Sequence, residues 1–145
     1  FITGMGTGGT IMGFYHHFSQ KKNDFKAYPI LPDKNKDGEH RIEGIGDSFI
    51  PKIVDLQALS PILRVKDSDA INIARQINKL GLSVGISSGA NVFGAILKAA
   101  EGPSGSRVAT ILCDDNKKYL STDLCSQSTE TLSRNIKVLD YEIII

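Results

Sequence analysis

The chain has 145 residues, and its 17 Lys and Arg against 16 Asp and Glu give a formal net charge of +1. This near balance provides no field that would favour nucleic acid or an anionic membrane surface. With 41% hydrophobic and 23% charged residues, the composition is that of an ordinary soluble protein with one workable core. No apolar run approaches the length of a transmembrane helix, and no secretory signal is visible.

The two cysteines and the two ends of the chain suggest where the protein works and what it belongs to. Cys113 and Cys125 match no metal-ligand spacing, and we expect a reduced pair in a cytoplasmic protein. The chain begins without Met inside an apolar run, and it ends in the apolar residues 141–145. We therefore expect a piece of a longer protein. A trimmed domain that is complete in itself is the alternative.

The most informative segment follows the first predicted strand, residues 1–3. It is the glycine loop, Gly6, Thr7, Gly8, Gly9 and Thr10, and the apolar spacing after it predicts a helix over residues 11–20. A strand that turns through glycines into a helix presents free backbone N–H groups and a positive helix end, which together bind phosphate. A plain tight connection is the alternative interpretation.

The glycine loop does not follow the better-known nucleotide patterns. A P-loop needs Lys and Ser or Thr after its last glycine, but Ile11 and Met12 follow here. A dinucleotide fingerprint needs an acidic residue at the end of the second strand, whereas Asp24 and Asp33 lie in polar, loop-like surroundings. We expect a smaller phosphorylated ligand.

The middle of the chain combines a strand with an irregular segment. Residues 26–30 predict a short strand in which Pro29 favours an end or an edge position. Residues 42–51 are too glycine-rich for regular structure and too apolar for a simple solvent loop. One interpretation is a gate over a pocket. The other is a connector packed by its apolar residues, Ile45, Phe49 and Ile50.

The sequence pattern of residues 62–65 predicts the next strand. Asp67 or Ser68 is then predicted to cap a helix that Gly81 stops. A short buried strand is predicted over residues 82–86.

A second turn rich in Ser and Gly, residues 87–90, follows that strand and precedes a helix to about residue 100. Residues 107–113 read as the best strand of the sequence. We interpret Cys113, at its end, as a buried apolar residue. We expect Asp114 and Asp115 to cap the following turn, and a place near a ligand is the alternative.

Alternating strands and helices predict an α/β fold with a mainly parallel sheet. Ligands of such sheets bind at the carboxyl ends of the strands. The glycine loop and Ser87 both lie at such ends, so we expect them to share a ligand site.

Four blocks of the sequence resemble, in order and spacing, successive blocks of the cysteine synthases. These are pyridoxal-phosphate enzymes of the tryptophan-synthase-β type, and the cystathionine β-synthases are close relatives. The resemblance implies a three-layer fold with helices on both faces of the sheet. It also implies a cofactor-phosphate-binding domain over residues 1–124 and a tail, 125–145, that packs on another part or is disordered. The four blocks are residues 1–13, 42–51, 84–90 and 118–124.

By this resemblance Ser87 matches the residue that hydrogen-bonds the pyridine nitrogen of pyridoxal 5'-phosphate. A neutral serine there leaves that nitrogen largely unprotonated, which moderates the electron sink. Residues 43–49 match a mobile rim near the substrate, although Asp47 departs from the small residue common there. The residues matching the phosphate loop are Gly6, Thr7, Gly8, Gly9 and Thr10, and those matching the substrate rim are Gly44, Ile45, Gly46 and Asp47.

The resemblance implies an enzyme that makes L-cysteine from O-acetylserine and sulfide, as a homodimer. The Schiff-base lysine of the family lies upstream of the first block, and no lysine of this chain has a matching context, so no catalytic residue is assigned. We therefore expect the isolated chain to be inactive. A cystathionine β-synthase or a cysteine lyase is the alternative within the family. A non-catalytic module that binds a phosphorylated ligand is the alternative outside it.

Overall fold

The fold is built on a small parallel sheet. The computed structural model describes residues 1–34, 38–46, 49–126 and 136. Its strands are β1 (Ile2–Gly4), β2 (Tyr28–Pro32) and β3 (Leu63–Val65). They lie in the order β1-β2-β3, and both pairings are parallel, with Thr3 opposite Pro29 and Leu31 opposite Arg64.

Helices cover both faces of this sheet. The structure has α1 (Gly9–Ser19), α2 (Asp67–Lys79), α3 (Ile86–Glu101) and a 3-10 turn (Lys117–Tyr119). Ile30 packs in the larger core with α2 and α3, whereas its neighbour Leu31 packs in the smaller core with α1. Because successive strand residues point to opposite faces, α1 lies on one face and α2 and α3 lie on the other. The predicted three-layer α/β fold is confirmed.

Small residues let α2 and α3 pack closely. A Cβ atom at Gly89 would lie 2.0 Å from the backbone oxygen of Ala70 and 2.9 Å from the backbone nitrogen of Ala74. No side chain larger than hydrogen fits at that point. The contact fixes the first turn of α3, which carries Ser87, against α2.

Pro29 lies in the central strand, so an edge position is excluded, but it is the second residue of β2 and thus lies near the end of the strand, as predicted. Tyr28 N donates to Phe1 O on one side of β2, and Asp33 N donates to Val65 O on the other. By this alternation the nitrogen of Pro29 faces β3, whose pairing begins only at Ile30. The missing N–H of proline therefore costs no ladder bond.

The strand predicted over residues 82–86 does not form. The Asn78 side chain accepts from Val84 N at 2.7 Å and donates to Val84 O at 3.1 Å. Gly85 N donates to the backbone oxygen of Asp114 at 2.9 Å. A side chain and a loop thus take the bonds that a neighbouring strand would have made, and α3 begins directly at Ile86.

The strand predicted over residues 107–113 is also wrong, because this segment forms only an isolated parallel bridge between Thr110 and Ile2. Two polar side chains of α3 bond to two further backbone groups of this segment. Asn91 Nδ2 donates to Ile111 O at 2.9 Å, and Cys113 N donates to Ser88 Oγ at 2.8 Å. The segment is thereby held beside β1 without joining the sheet as a strand.

The predicted cap of α2 is wrong and its predicted stop is confirmed. Lys66 occupies the N-cap position, and no described side chain caps the helix. Asp67 instead accepts a hydrogen bond from the backbone N–H of Arg41 at 2.9 Å. Gly81 adopts a φ of +93° just beyond the helix, a conformation that glycine accepts most readily.

Within the described ranges, no helix is both long and apolar enough to cross a membrane. Most of the predicted tail, residues 127–135 and 137–145, lies outside the described residues.

Candidate active site

The glycine loop leads from β1 into α1. Gly8 occupies the N-cap position of α1 with a φ of +84°, and none of the described side chains caps this helix. The first backbone bond into α1 runs from Met12 N to Gly8 O at 3.0 Å. No described residue provides an acceptor to the backbone N–H groups of residues 6–11. The loop therefore offers several free donors at the positive end of a helix.

The glycine loop is braced from behind by two close contacts. A Cβ atom at Gly6 would lie 2.4 Å from the backbone oxygen of Gly44, and one at Gly8 would lie 2.2 Å from Cγ2 of Val54. Larger residues would push the loop away from these neighbours. Glycine at both positions thus sets where the free donors lie.

A cavity of about 490 Å³ opens beside the loop. Its size falls in the ordinary range for a small-molecule site. The cavity brings together the glycine loop, part of the predicted rim and Ser87, which are far apart in sequence. Its lining includes Gly6, Thr7, Gly8, Gly9, Thr10, Gly44, Ile45, Ser87, Cys113, Asp114 and Lys118.

Only part of the predicted rim lines the cavity. Gly44 and Ile45 line the cavity. Gly46 instead packs against Pro32, whose Cδ would lie 2.5 Å from a Cβ at that position. Asp47 lies outside the described residues.

The apolar residues of this segment behave in two ways. Ile45 is buried, as the packed-connector interpretation requires, but Phe49 and Ile50 are 66% and 48% exposed. That interpretation is therefore wrong for Phe49 and Ile50. Lys118 Nζ lies 3.7 Å from Glu43 Oε2, and this exposed ion pair joins two residues that line the cavity.

Ser87 lies in the first turn of α3, not in the loop that the sequence predicted, and only 5% of it is exposed. Its hydroxyl donates to Asp114 Oδ1 at 3.2 Å. The next residue, Ser88, is fully buried and bonds to the segment before Asp114. The two serines therefore hold residues 113–114 against the start of α3.

The two aspartates have different roles. Asp115 Oδ1 accepts from Lys117 N at 2.9 Å, at the start of the 3-10 turn, but Asn116 occupies the N-cap position, so the predicted cap is not observed. Asp114 lines the cavity instead, which corrects the capping prediction for this residue. Its Oδ2 accepts from Tyr119 Oη at 2.9 Å and from Lys118 Nζ at 2.8 Å.

Asp114 changes the titration of its neighbours. Burial, together with the hydrogen bond to Asp114, raises the pKa of Tyr119 to about 12. Hydrogen bonds to Asp114 and to Tyr119 raise the pKa of Lys118, so its amine stays protonated. Partial desolvation of the sulfur by surrounding protein atoms, together with the charge of Asp114, raises the pKa of the Cys113 thiol.

Cys113 is exposed at the cavity wall, so its interpretation as a buried apolar residue is wrong. Its sulfur accepts a hydrogen bond from Asn91 Nδ2 at 3.3 Å. Cys113 and Lys118 also line the cavity, although the sequence did not identify them as site residues. The signal was available for Cys113, because it stands at the carboxyl end of the segment beside β1.

The sequence and the structure match known proteins of one family. Residues 1–114 match the model of the pyridoxal-phosphate dependent enzymes. A cysteine synthase B of Campylobacter jejuni is 42% identical over 130 residues, which are 86% of this chain and 43% of that protein.

Two solved structures resemble this one over nine-tenths of the chain. The hydrogen sulfide-producing enzyme of Fusobacterium nucleatum has a TM-score of 0.83 at 41% identity, over 90% of this chain and 41% of that one. A cysteine synthase of Entamoeba histolytica has a TM-score of 0.79 at 33% identity, over 90% and 41% of the two chains. The chain thus spans less than half the length of the proteins it matches.

Proposed function

This chain belongs to the pyridoxal-phosphate dependent enzyme family, and we propose that the protein carrying it makes L-cysteine from O-acetylserine and sulfide. One observation carries the proposal. The glycine loop and Ser87, predicted separately as ligand-binding segments, line the same cavity of about 490 Å³. The 42% identity to a cysteine synthase B supports the choice of reaction.

The cavity residues fit the phosphate of pyridoxal phosphate. Backbone N–H groups of residues 6–11 have no acceptor among the described residues, and Thr7 and Thr10 are exposed beside them. A phosphate dianion is stabilised by several convergent donors at a helix N-terminus. We assign phosphate binding to Gly6, Thr7, Gly8, Gly9 and Thr10.

We assign the ring end of the cofactor to Ser87 and the substrate side to Gly44 and Ile45, with Asp47 next along the rim. Ser87 is buried and lines the same cavity as Gly44 and Ile45, which suits a residue that orients a flat ring. The cofactor, when bound, supplies the electron sink for chemistry at the β carbon of the amino acid. Residues 1–124 form the proposed cofactor-phosphate domain, and its residues hold and orient the cofactor.

The catalytic lysine is the part that we do not assign to this chain. Lys118 lines the cavity, but its amine donates to Asp114 at 2.8 Å, and its raised pKa keeps it protonated. A protonated amine cannot attack an aldehyde. We therefore propose that the 145-residue chain alone does not form cysteine, and that a lysine from another part of the protein is required.

The test uses the native gene product. Reduction with borohydride followed by intact-mass measurement should show one pyridoxal adduct on a lysine outside this chain, and the protein should form cysteine from O-acetylserine and sulfide. If the protein shows neither the adduct nor the product, the remaining interpretation is a non-catalytic phosphate-binding module. Cysteine formation by the 145-residue chain alone would overturn the assignment of the lysine.

One similar protein suggests an alternative reaction for the same site. The F. nucleatum protein, 41% identical, is described as hydrogen sulfide-producing. The same cavity would then release sulfide from cysteine. Product analysis separates the two, because cysteine formation consumes sulfide and the alternative reaction releases it. A homodimer in the cytoplasm completes the proposal, and two free thiols suit that compartment.

A further inference from the structure

The segment of residues 107–113 runs beside β1 and forms an isolated parallel bridge with it. Within that bridge, Ile2 N donates to Ala109 O at 3.0 Å. In a parallel ladder the bonds are evenly spaced, and every second residue of a strand bonds to the same neighbour. One further step of this pairing would therefore join Gly4 N to Ile111 O.

The side-chain amide of Asn91 takes the place of that bond. Its Oδ1 accepts from Gly4 N at 2.7 Å, and its Nδ2 donates to Ile111 O at 2.9 Å. Both backbone groups keep a hydrogen-bond partner, but a whole amide group lies between them. A direct bond would bring the nitrogen and the oxygen to about 2.9 Å. The amide therefore holds the carboxyl end of β1 further from the segment than a ladder would.

Several contacts fix Asn91 in this position. Its side chain is fully buried, and Nδ2 also donates to Cys113 Sγ at 3.3 Å. The helix α3, which carries Asn91, packs so closely on the sheet that a Cβ atom at Gly94 would lie 2.7 Å from Ile30 Cδ1 and 3.3 Å from Ile2 Cγ2. The amide therefore has a fixed distance from the sheet.

The backbone groups that the amide separates belong to residues of the cavity lining. Gly4, which comes just before the glycine loop, lines the cavity, and so do Ile111 and Cys113. A ligand anchored at the glycine loop must fit beside both segments. Their separation therefore limits the size of the ligand that the cavity can hold.

We propose that Asn91 is a positioning residue that holds the carboxyl end of β1 apart from residues 111–113 and thereby sets the width of the cofactor cavity. The identity of the ligand, pyridoxal phosphate, rests on the proposed function. Asn91 acts on it only through the backbone of Gly4 and Ile111, because its own side chain is buried behind them.

The test combines two measurements on the native gene product. The 31P resonance gives the dissociation constant of pyridoxal phosphate, and crystallography gives the distance from Gly4 N to Ile111 O. Asn91→Ala removes the amide, so the two backbone groups can bond directly. We expect the distance to fall to about 3 Å and the dissociation constant to rise at least about tenfold.

Asn78→Ala is the matched control. The amide of Asn78 makes the same pair of bonds, from Val84 N at 2.7 Å and to Val84 O at 3.1 Å, but neither residue lines the cavity. This variant should lower the free energy of unfolding and leave the dissociation constant unchanged. An equal loss of binding in Asn78→Ala and Asn91→Ala would show a general loss of stability and overturn the role of Asn91.

Asn91→Asp keeps the size of the side chain and serves if Asn91→Ala does not fold. One carboxylate oxygen still accepts from Gly4 N, but the other cannot donate to Ile111 O and repels it. We expect a longer distance and weaker binding. Wild-type distance and binding in the Asn91 variants would overturn the proposal. If the wild type itself does not bind pyridoxal phosphate, the proposed function fails, and the distance in the variants still decides the role of Asn91.

Discussion

Gly85 and Asp114 lie so close that a Cβ atom on Gly85 would come within 2.2 Å of Asp114 Oδ1 and 2.6 Å of Tyr119 Cε2. The backbone N–H of Gly85 also donates to the backbone oxygen of Asp114 at 2.9 Å. Glycine just before α3 therefore allows the carboxylate to reach Ser87. The φ of Gly85 is −85°, so space and not backbone conformation requires glycine at this position.

Gly85→Ala should displace the Asp114 carboxylate and lower the free energy of unfolding. We expect a loss of about 1–3 kcal/mol, typical of overpacking a filled site. Urea unfolding measures it. Gly13→Ala is the control, because nothing lies within 4 Å of its Cβ position in α1. That variant should gain about 0.5–1 kcal/mol. Equal effects of the two variants would contradict the proposed packing.

The ionisation of Tyr119 should make stability fall at high pH. Its pKa is raised from 10.0 to about 12 in the folded state. The folded chain thus keeps a proton that the unfolded chain loses. The stabilisation is complete below pH 10 and is lost as the pH rises to 12, by roughly 2–3 kcal/mol. Urea unfolding of Tyr119→Phe should lack this loss, and a parallel fall in both proteins would refute the assignment.

The rate at which Cys113 is alkylated should depend on the charge of Asp114 at the cavity wall. The raised pKa of Cys113 slows its reaction with iodoacetamide near neutral pH, because the thiolate is the nucleophile. Asp114→Asn removes a negative charge, lowers that pKa and should speed alkylation several-fold, measured by mass spectrometry. Cys125 serves as the internal reference and should not change. An unaltered ratio of the two rates would show that Asp114 does not act on Cys113.

The sequence predicted the elements that are held by regular backbone hydrogen bonding in helices and in the sheet. The three helices and the strands β1, β2 and β3 have clear apolar periodicity, and each was predicted within a few residues of its observed bounds. The segments 82–86 and 107–113 have equally clear strand patterns but pair with the side chains of Asn78, Ser88 and Asn91. Such bonds from a side chain to the backbone leave no trace in periodicity.

Part of the site could also be predicted from the sequence. The rule that ligands bind at the carboxyl ends of parallel strands was enough to expect the glycine loop and Ser87 together. It could not distinguish Asp114 from Asp115, because neighbouring residues of a loop point in directions that only packing decides. The start of α3 at Ile86, which buries Ser87, was likewise hidden by the strand-like residues before it.

Phosphate binding by the glycine loop is the central claim, and the 31P resonance of pyridoxal phosphate during titration with the protein tests it most directly. Gly8→Ala places a Cβ at a φ of +84° and 2.2 Å from Val54, whereas Gly105→Ala has a φ of +83° with open space and lies away from the cavity. We predict that Gly8→Ala weakens binding at least about tenfold, or about 1.4 kcal/mol, and that Gly105→Ala binds like the wild type. Equal binding by the wild type and Gly8→Ala would contradict the account.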